Sequence, residues 1–267
     1  MTTLLFYEKP VPLNVDIHLK VRLGSLGGKV AFATKTNSIP LAAVEFIDTA
    51  REYPIAFTGK DEGALFPIAL VGVRQNENLF VTEDDKWDGR YIPAFVRRYP
   101  FVLAEKQDAD DFNVYFDESY AGLGAADGDR LFTDEGEHTP LLKQALEFLS
   151  NYQGEIKRTR QFVERLQSLD LLIPRVLEVV RNDEAPLVLQ GFSVVDEQRL
   201  AALGDAELLA LARDGYLPLI YAHLGSLGNV SRLSERLDAR MTAPEPEADG
   251  TESTPAAKKT ALKRDRK

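Results

Sequence analysis

The chain has 267 residues, 44% hydrophobic and 28% charged, with a formal net charge of −10, which is enough apolar sequence for a sizeable core and excludes whole-chain disorder. No run approaches the ~18 consecutive apolar residues read as a membrane-spanning helix, and Met1 to Pro10 lacks the basic and apolar regions of a secretory signal. With no cysteine, disulfides, thiolate metal sites and a cysteine nucleophile are excluded as well. These features argue against a permease and make the cytoplasm the expected location. From Thr242 to Lys267 six basic and five acidic residues give +1, leaving −11 for the body. An acidic body repels phosphate polymers, so nucleic acid is not expected as a partner.

In chain order, residues 1–135 read as strand-rich. Val30-Ala31-Phe32-Ala33, Ala43-Val44-Glu45-Phe46, Pro54-Ile55-Ala56-Phe57, Ile68 to Val73, Leu79-Phe80-Val81, Phe101-Val102-Leu103 and Phe112 to Phe116 are short, apolar and punctuated by Gly, Pro, Asn and Asp. From 136 to 241 the period becomes helical. Leu141, Leu142, Ala145, Leu146, Leu149 and Tyr152, then Phe162, Val163, Leu166, Leu169 and Leu172, predict two amphipathic helices, the second ended or kinked by Pro174. Pro186 to Val195 reads as one or two strands, Asp196 and Asp205 as N-caps, Gly215 as a stop, and Leu219 to Leu237 as a last helical pair broken at Gly225 or Gly228. The fold class is therefore α+β: a largely antiparallel sheet from the N-terminal half, covered by helices from the C-terminal half. One interlocked domain over 1–241 is expected, followed by a disordered tail over 242–267.

Residues that could carry chemistry are few. His18, His138 and His223 are the only histidines, and none stands in a metal-ligand spacing. His18 and His223 lie in apolar contexts, where a hydrogen-bonded core histidine is the common case and a metal or catalytic role the alternative. Leu224-Gly225-Ser226-Leu227-Gly228 misses the Gly-x-Ser-x-Gly spacing of a nucleophile elbow, and a close helix-packing surface is the competing reading. The paired carboxylates Asp61-Glu62, Asp84-Asp85, Asp110-Asp111, Asp117-Glu118 and Asp134-Glu135 fall mostly in predicted turns and define no acid/base dyad.

The most informative stretch is Tyr91-Ile92-Pro93-Ala94-Phe95-Val96-Arg97-Arg98-Tyr99-Pro100-Phe101, two arginines inside an aromatic and proline-rich run. Burying a guanidinium is costly unless a carboxylate or carbonyls meet it, so these arginines either pair inside the fold or line a site. In a strand they would face opposite sides, one toward a buried carboxylate such as Glu45, the other toward a cleft with Trp87. Trp87, Tyr91, Arg97, Arg98, Tyr99 and Asn78 form the candidate ligand-binding set, suited to an anionic or sugar-like ligand. A structural ion pair with an aromatic core is the competing reading.

Val44-Glu45-Phe46, Tyr53-Pro54-Ile55, Glu77-Asn78-Leu79-Phe80, Trp87 with Tyr91-Ile92-Pro93-Ala94, and Arg97-Arg98-Tyr99-Pro100-Phe101 together resemble the bacterial SapC family. Gly191-Phe192 with Val194-Val195-Asp196-Glu197, and Tyr221-Ala222-His223-Leu224, extend the likeness from about Pro12 to Leu237. The resemblance implies a protein of a surface-layer locus, and similar proteins are often encoded near outer-membrane receptor, halogenase-like and cupin-like genes. An unrelated peptide-transport permease shares the name, and the absence of spanning segments separates the two. The expected role is an accessory protein that binds a small molecule or protein partner of a surface or uptake system. The alternatives are an enzyme with a cofactor or metal site assembled across the chain, His18 or His223 meeting Glu45 or Glu77, and a layer-forming subunit. Which cofactor such an enzyme would use is unknown from the sequence.

Overall fold

The computed structural model describes residues 5–59, 65–105, 112–181 and 184–242. Its strands are β1 (Pro10–Pro12), β2 (Arg22–Leu23), β3 (Ser38–Pro40), β4 (Ile55–Thr58), β5 (Phe66–Leu70), β6 (Phe101–Glu105), β7 (Phe112–Asp117), β8 (Asp129–Arg130), β9 (Leu172–Arg181) and β10 (Glu184–Val195). Its helices are α1 (Val15–His18), α2 (Phe46–Thr49), α3 (Ala94–Arg97), α4 (Pro140–Ser168), α5 (Glu197–Ala201), α6 (Asp205–Arg213), α7 (Tyr216–Ser226) and α8 (Val230–Thr242). The α+β class stands, and every described strand pairing is antiparallel.

The strands form three sheets rather than one: β1-β7-β6, β3-β5-β4-β10-β9 and β2-β8. The largest takes two of its five strands from the C-terminal half, so helices are not all that this half supplies. Two apolar clusters result. One gathers Phe46, Tyr53, Phe57, Phe80, Phe95, Phe162 and Leu233, the other Phe101, Phe116, Leu131, Leu142 and Leu149. α4 reaches both, with Leu142 and Leu149 in the second and Tyr152, Phe162, Val163 and Leu166 in the first.

Where two helices were expected there is one of 29 residues. Thr139 caps it, its hydroxyl accepting from Leu142 N at 3.4 Å, with Pro140 at its first position. Gly154 lies inside without breaking it, because a mid-helix glycine costs only about 1 kcal/mol, less than the burial of the flanking apolar residues returns. Asp170, left-handed at φ 53°, ends the helical path, and Pro174 lies in β9 instead.

Three expected strands are absent. Ala31–Ala33 and Ala43–Glu45 are 3₁₀ turns, and Leu79–Val81 is a loop joined to Trp87 by a single bridge. In the Ala43–Thr49 segment the period is three: Ala43, Phe46 and Thr49 are buried, whereas Val44 and Ile47 are exposed. Asp196 caps α5 as expected, accepting from Gln198 N and Arg199 N. The cap of α6 is Gly204, with Asp205 in its first turn, and Gly215 at φ 73° separates α6 from α7. The tail expected from 242 lies outside the described residues save Thr242 itself, as do the pairs Asp61-Glu62 and Asp110-Asp111.

Asp117, fully buried, ties the N-terminal segment to β7. Its carboxylate accepts from Glu8 N (3.0 Å), Lys9 N (2.9 Å), Ser119 N (3.0 Å) and Ser119 Oγ (2.7 Å). Burial alone would raise its pKa, but these hydrogen bonds outweigh burial and hold it below the usual range. The stability it contributes is complete above about pH 4, the unfolded-chain value, and is lost as pH falls through the lower folded value. Asp117→Asn, which puts an NH₂ donor against backbone donors, is expected to cost about 2 kcal/mol in urea denaturation at pH 7. A loss below about 0.5 kcal/mol would contradict this role.

Candidate functional site

The segment that presents the arginines is set by two carboxylates seven residues apart, Glu45 and Glu52, which flank α2. Glu45 Oε2 accepts from Ala42 N (2.9 Å), closing its own turn, and Oε1 accepts from Tyr91 Oη (2.7 Å) and Ala94 N (2.7 Å). Glu52 Oε2 accepts from Arg90 N (2.6 Å) and Tyr91 N (3.1 Å). Residues 90–94 thus hang from two buried acceptors, and Ala94, Phe95 and Val96 turn into the first core. α4 braces the same turn, Thr159 Oγ1 accepting from Ala43 N at 2.8 Å.

The arginines follow from this frame, and the strand geometry expected for them does not hold. Arg97 ends α3 and Arg98 continues its helical backbone, because so short a run, three apolar residues and an arginine, fits a helical turn as well as a strand and the Glu45 clamp on Ala94 N selects the turn. Glu45 is satisfied by two amides and a phenol, so it serves neither guanidinium. Arg97 is exposed: its Nε donates to Ile92 O (3.0 Å), and its guanidinium carbon lies 5.9 Å from the Tyr91 ring centre and 5.3 Å from that of Phe148. Arg98 stacks on Phe95 at 3.8 Å, with Tyr152 at 5.6 Å and Tyr7 at 5.8 Å, and its buried Nε has no hydrogen-bond partner. Neither pairs with a carboxylate of the described residues.

Three cavities meet here. A trough of about 430 Å³ runs between α4 and the β3–β5 side of the large sheet, with Arg98 in its wall. A groove of about 450 Å³ is lined by Arg97, Arg98, Tyr99, Tyr120 and Phe148. A third, of about 350 Å³, holds Glu45, Tyr91, Arg97 and Tyr152. The phenols are proton donors at neutral pH: burial, joined by the Glu45 carboxylate, holds Tyr91 and Tyr152 well above the ordinary tyrosine range, against the opposing charges of Arg97 on Tyr91 and Arg98 on Tyr152. Burial pushes Tyr7 up to about 12, with Arg98 again opposing.

Of the six candidates, Tyr91, Arg97, Arg98 and Tyr99 line these cavities. Trp87 and Asn78 do not. Trp87 Nε1 donates to Tyr53 Oη (3.0 Å) and Tyr91 O (3.2 Å). Asn78 is fully buried, giving a hydrogen bond to Ala33 O (2.9 Å) and accepting one from Phe80 N (2.9 Å). Trp87 thus backs the segment that carries Tyr91, and Asn78 ties the Ala33 turn to the loop at Phe80. Glu52, Phe148 and Tyr152 were missed from the sequence; the carboxylates at 45 and 52, two helical turns apart in an apolar stretch, were the available signal.

The histidines stand elsewhere. His18 Nδ1 contacts Asn14 N and Asn14 O at 3.0 and 2.9 Å, its ring packs on Phe116, and its Nε2 is buried without a partner. It lines none of the three cavities. His138 is exposed just before Thr139. His223 accepts from Val195 N through Nε2 (3.0 Å) and donates through Nδ1 to Ile55 O (3.0 Å). Since Ser193 pairs with Phe57, Val195 and Ile55 are the next antiparallel pair, and the imidazole takes the place of their direct bond. Ser226 Oγ accepts from Ile55 N (2.9 Å) and donates to His223 O (2.6 Å). α7 therefore wedges β4 from β10 and satisfies both edges with two side chains, whereas the glycines beside Ser226 admit no close backbone. Among the described residues no group of three His, Asp or Glu is placed to hold a metal, and no helix is long and apolar enough to cross a membrane.

The fold and site define an α+β protein with paired arginines beside aromatic, partly apolar cavities. A family model described as SapC matches residues 13–233, and the chain belongs to the SapC family. No curated protein and no solved structure matches it.

Proposed function

We propose that the chain is an accessory protein that binds a small molecule or partner segment in the cavities around Arg97, Arg98, Tyr91 and Tyr99, and serves a bacterial surface-layer or outer-membrane uptake system. The observation that carries this reading is the arginine pair. In a chain of net charge −10, two adjacent guanidiniums reach open cavities without a carboxylate partner among the described residues, which is an arrangement made for an outside anion. Aromatic faces beside them supply contact area at low conformational cost. The system itself is inferred from family membership.

Native mass spectrometry with elemental analysis on untagged protein tests the reading. A retained small molecule, lost on Arg97→Gln plus Arg98→Gln, is the expected result. A stoichiometric metal would favour an enzyme instead, and large discrete assemblies a layer subunit.

A further inference from the structure

We infer that the trough along α4 is a binding site for a small amphipathic carboxylate, its head group on Arg98 and its chain on the apolar wall; this rests on the ligand-binding reading above. The trough is elongated. Its lining on α4 runs from Tyr152 to Gln167, about 22 Å at the helical rise, and its volume of about 430 Å³ is within the range of small-molecule pockets. Leu41, Phe66, Pro67, Ile156 and Val163 make the wall apolar. Of its two hydroxyls, that of Thr159 is engaged, since Oγ1 donates to Glu155 O (2.6 Å) and accepts from Ala43 N (2.8 Å), and that of Tyr152 belongs to the Arg98 end.

Arg98 stands at one end of the trough, beside Tyr152, while Arg160 and Glu164, of opposite sign, line it eight and twelve residues further along α4, about 12 and 18 Å away. A guanidinium at one end and a wall that is apolar except at these two side chains match an acid with a linear tail. The geometry of the guanidinium selects the head group. One of its faces is covered by Phe95 at 3.8 Å, so its donors act in its own plane, where a planar carboxylate can accept two of them. Its Nε is buried and takes no part, which leaves the terminal NH₂ groups as the donors for a ligand.

The test is calorimetric titration of the full chain with decanoate, decanol and acetate. Decanoate is expected to bind about tenfold or more tighter than either of the others, since neither tail nor charge alone satisfies the site. Ile156→Trp, which fills the trough without touching Arg98, should abolish decanoate binding. Arg98→Gln should bring decanoate down to the affinity of decanol. If Arg98→Gln fails to fold, Arg98→Lys, which keeps the charge but loses the planar fork, should weaken decanoate binding while Ile156→Trp still abolishes it. Equal binding of decanoate and decanol, or decanoate binding untouched by Ile156→Trp, would overturn the inference. A ligand retained from the cell that survives Ile156→Trp but is lost in Arg97→Gln would sink this trough and leave the ligand-binding reading standing in the other two cavities. No retained ligand and no decanoate binding would sink both.

Discussion

Replacing His223 by alanine is expected to lower the unfolding free energy by about 4 kcal/mol, because it strips partners from two buried backbone groups and opens a cavity in the first core. Val195 N–H and Ile55 C=O both lose the hydrogen-bond partner that the imidazole supplies, and Phe57, 5.0 Å from the ring, loses its neighbour. The ring is neutral by construction: a carbonyl can only accept, so Nδ1 carries the hydrogen, and Nε2 must keep its lone pair for the amide. Burial accordingly pushes the pKa of His223 down to about 4, against the raising effect of the Ile55 carbonyl. The unfolded chain, with histidine near 6.5, binds more protons than the folded one between these two values. Stability therefore falls as pH drops from about 6.5 to about 4, by about 3 kcal/mol over the window. Urea melts at pH 7.5 and 5 read both effects. His223→Ala should be strongly destabilised at the higher pH and should show a flatter pH dependence than the parent. A variant within about 1 kcal/mol of the parent at pH 7.5 would show that the wedge is not needed.

The second large effect is expected at Glu45. Glu45→Ala leaves Ala42 N–H, Ala94 N–H and the Tyr91 hydroxyl without their acceptor, for a loss of about 4 kcal/mol. Glu45→Gln keeps the volume but turns an NH₂ toward one set of donors, for about 2 kcal/mol. The damage should also be local and visible. Trp87 is the only tryptophan of the chain, and its indole donates to Tyr91 O, so loosening residues 91–94 should shift its emission under native conditions. Destabilisation with unchanged Trp87 emission and intact ligand retention would mean that Glu45 supports the core without positioning the arginines.

Much of the fold was legible where the signal is local. Pro54 to Phe57, Ile68 to Leu70, Phe101 to Leu103 and Pro186 to Val195 read as strands and are strands, and Asp196 reads as a cap and is one. The failures share a cause. Ala31–Ala33, Ala43–Glu45 and Ala94–Arg97 are runs of three or four mostly apolar residues, too short for period to separate helix from strand. What decides them is a partner far away: Glu45 reaches Ala94 across 49 residues, and Thr159 reaches Ala43 across 116. The site was half legible for the same reason. Arg97 and Arg98 stood out as charges inside an apolar run, but Phe148 and Tyr152, which complete the cavities from α4, look in sequence like ordinary core positions of a helix. His223 was readable as a hydrogen-bonded core histidine, though not as a substitute for a backbone ladder bond.

Where the chain passes from Ala94–Val96 to Phe101 it leaves one apolar cluster and enters the other, and Arg97 and Arg98 belong to neither. Arg97, which is exposed, is under little obligation to the fold. A relative could exchange Arg97, or change the α4 residues that face the cavities while keeping Leu142, Leu149, Phe162 and Leu166, and retain both cores and the Glu45 clamp. If the proposed ligand binding holds, ligand preference and architecture can then diverge at separate rates, one scaffold being tuned by a handful of substitutions along a single helix.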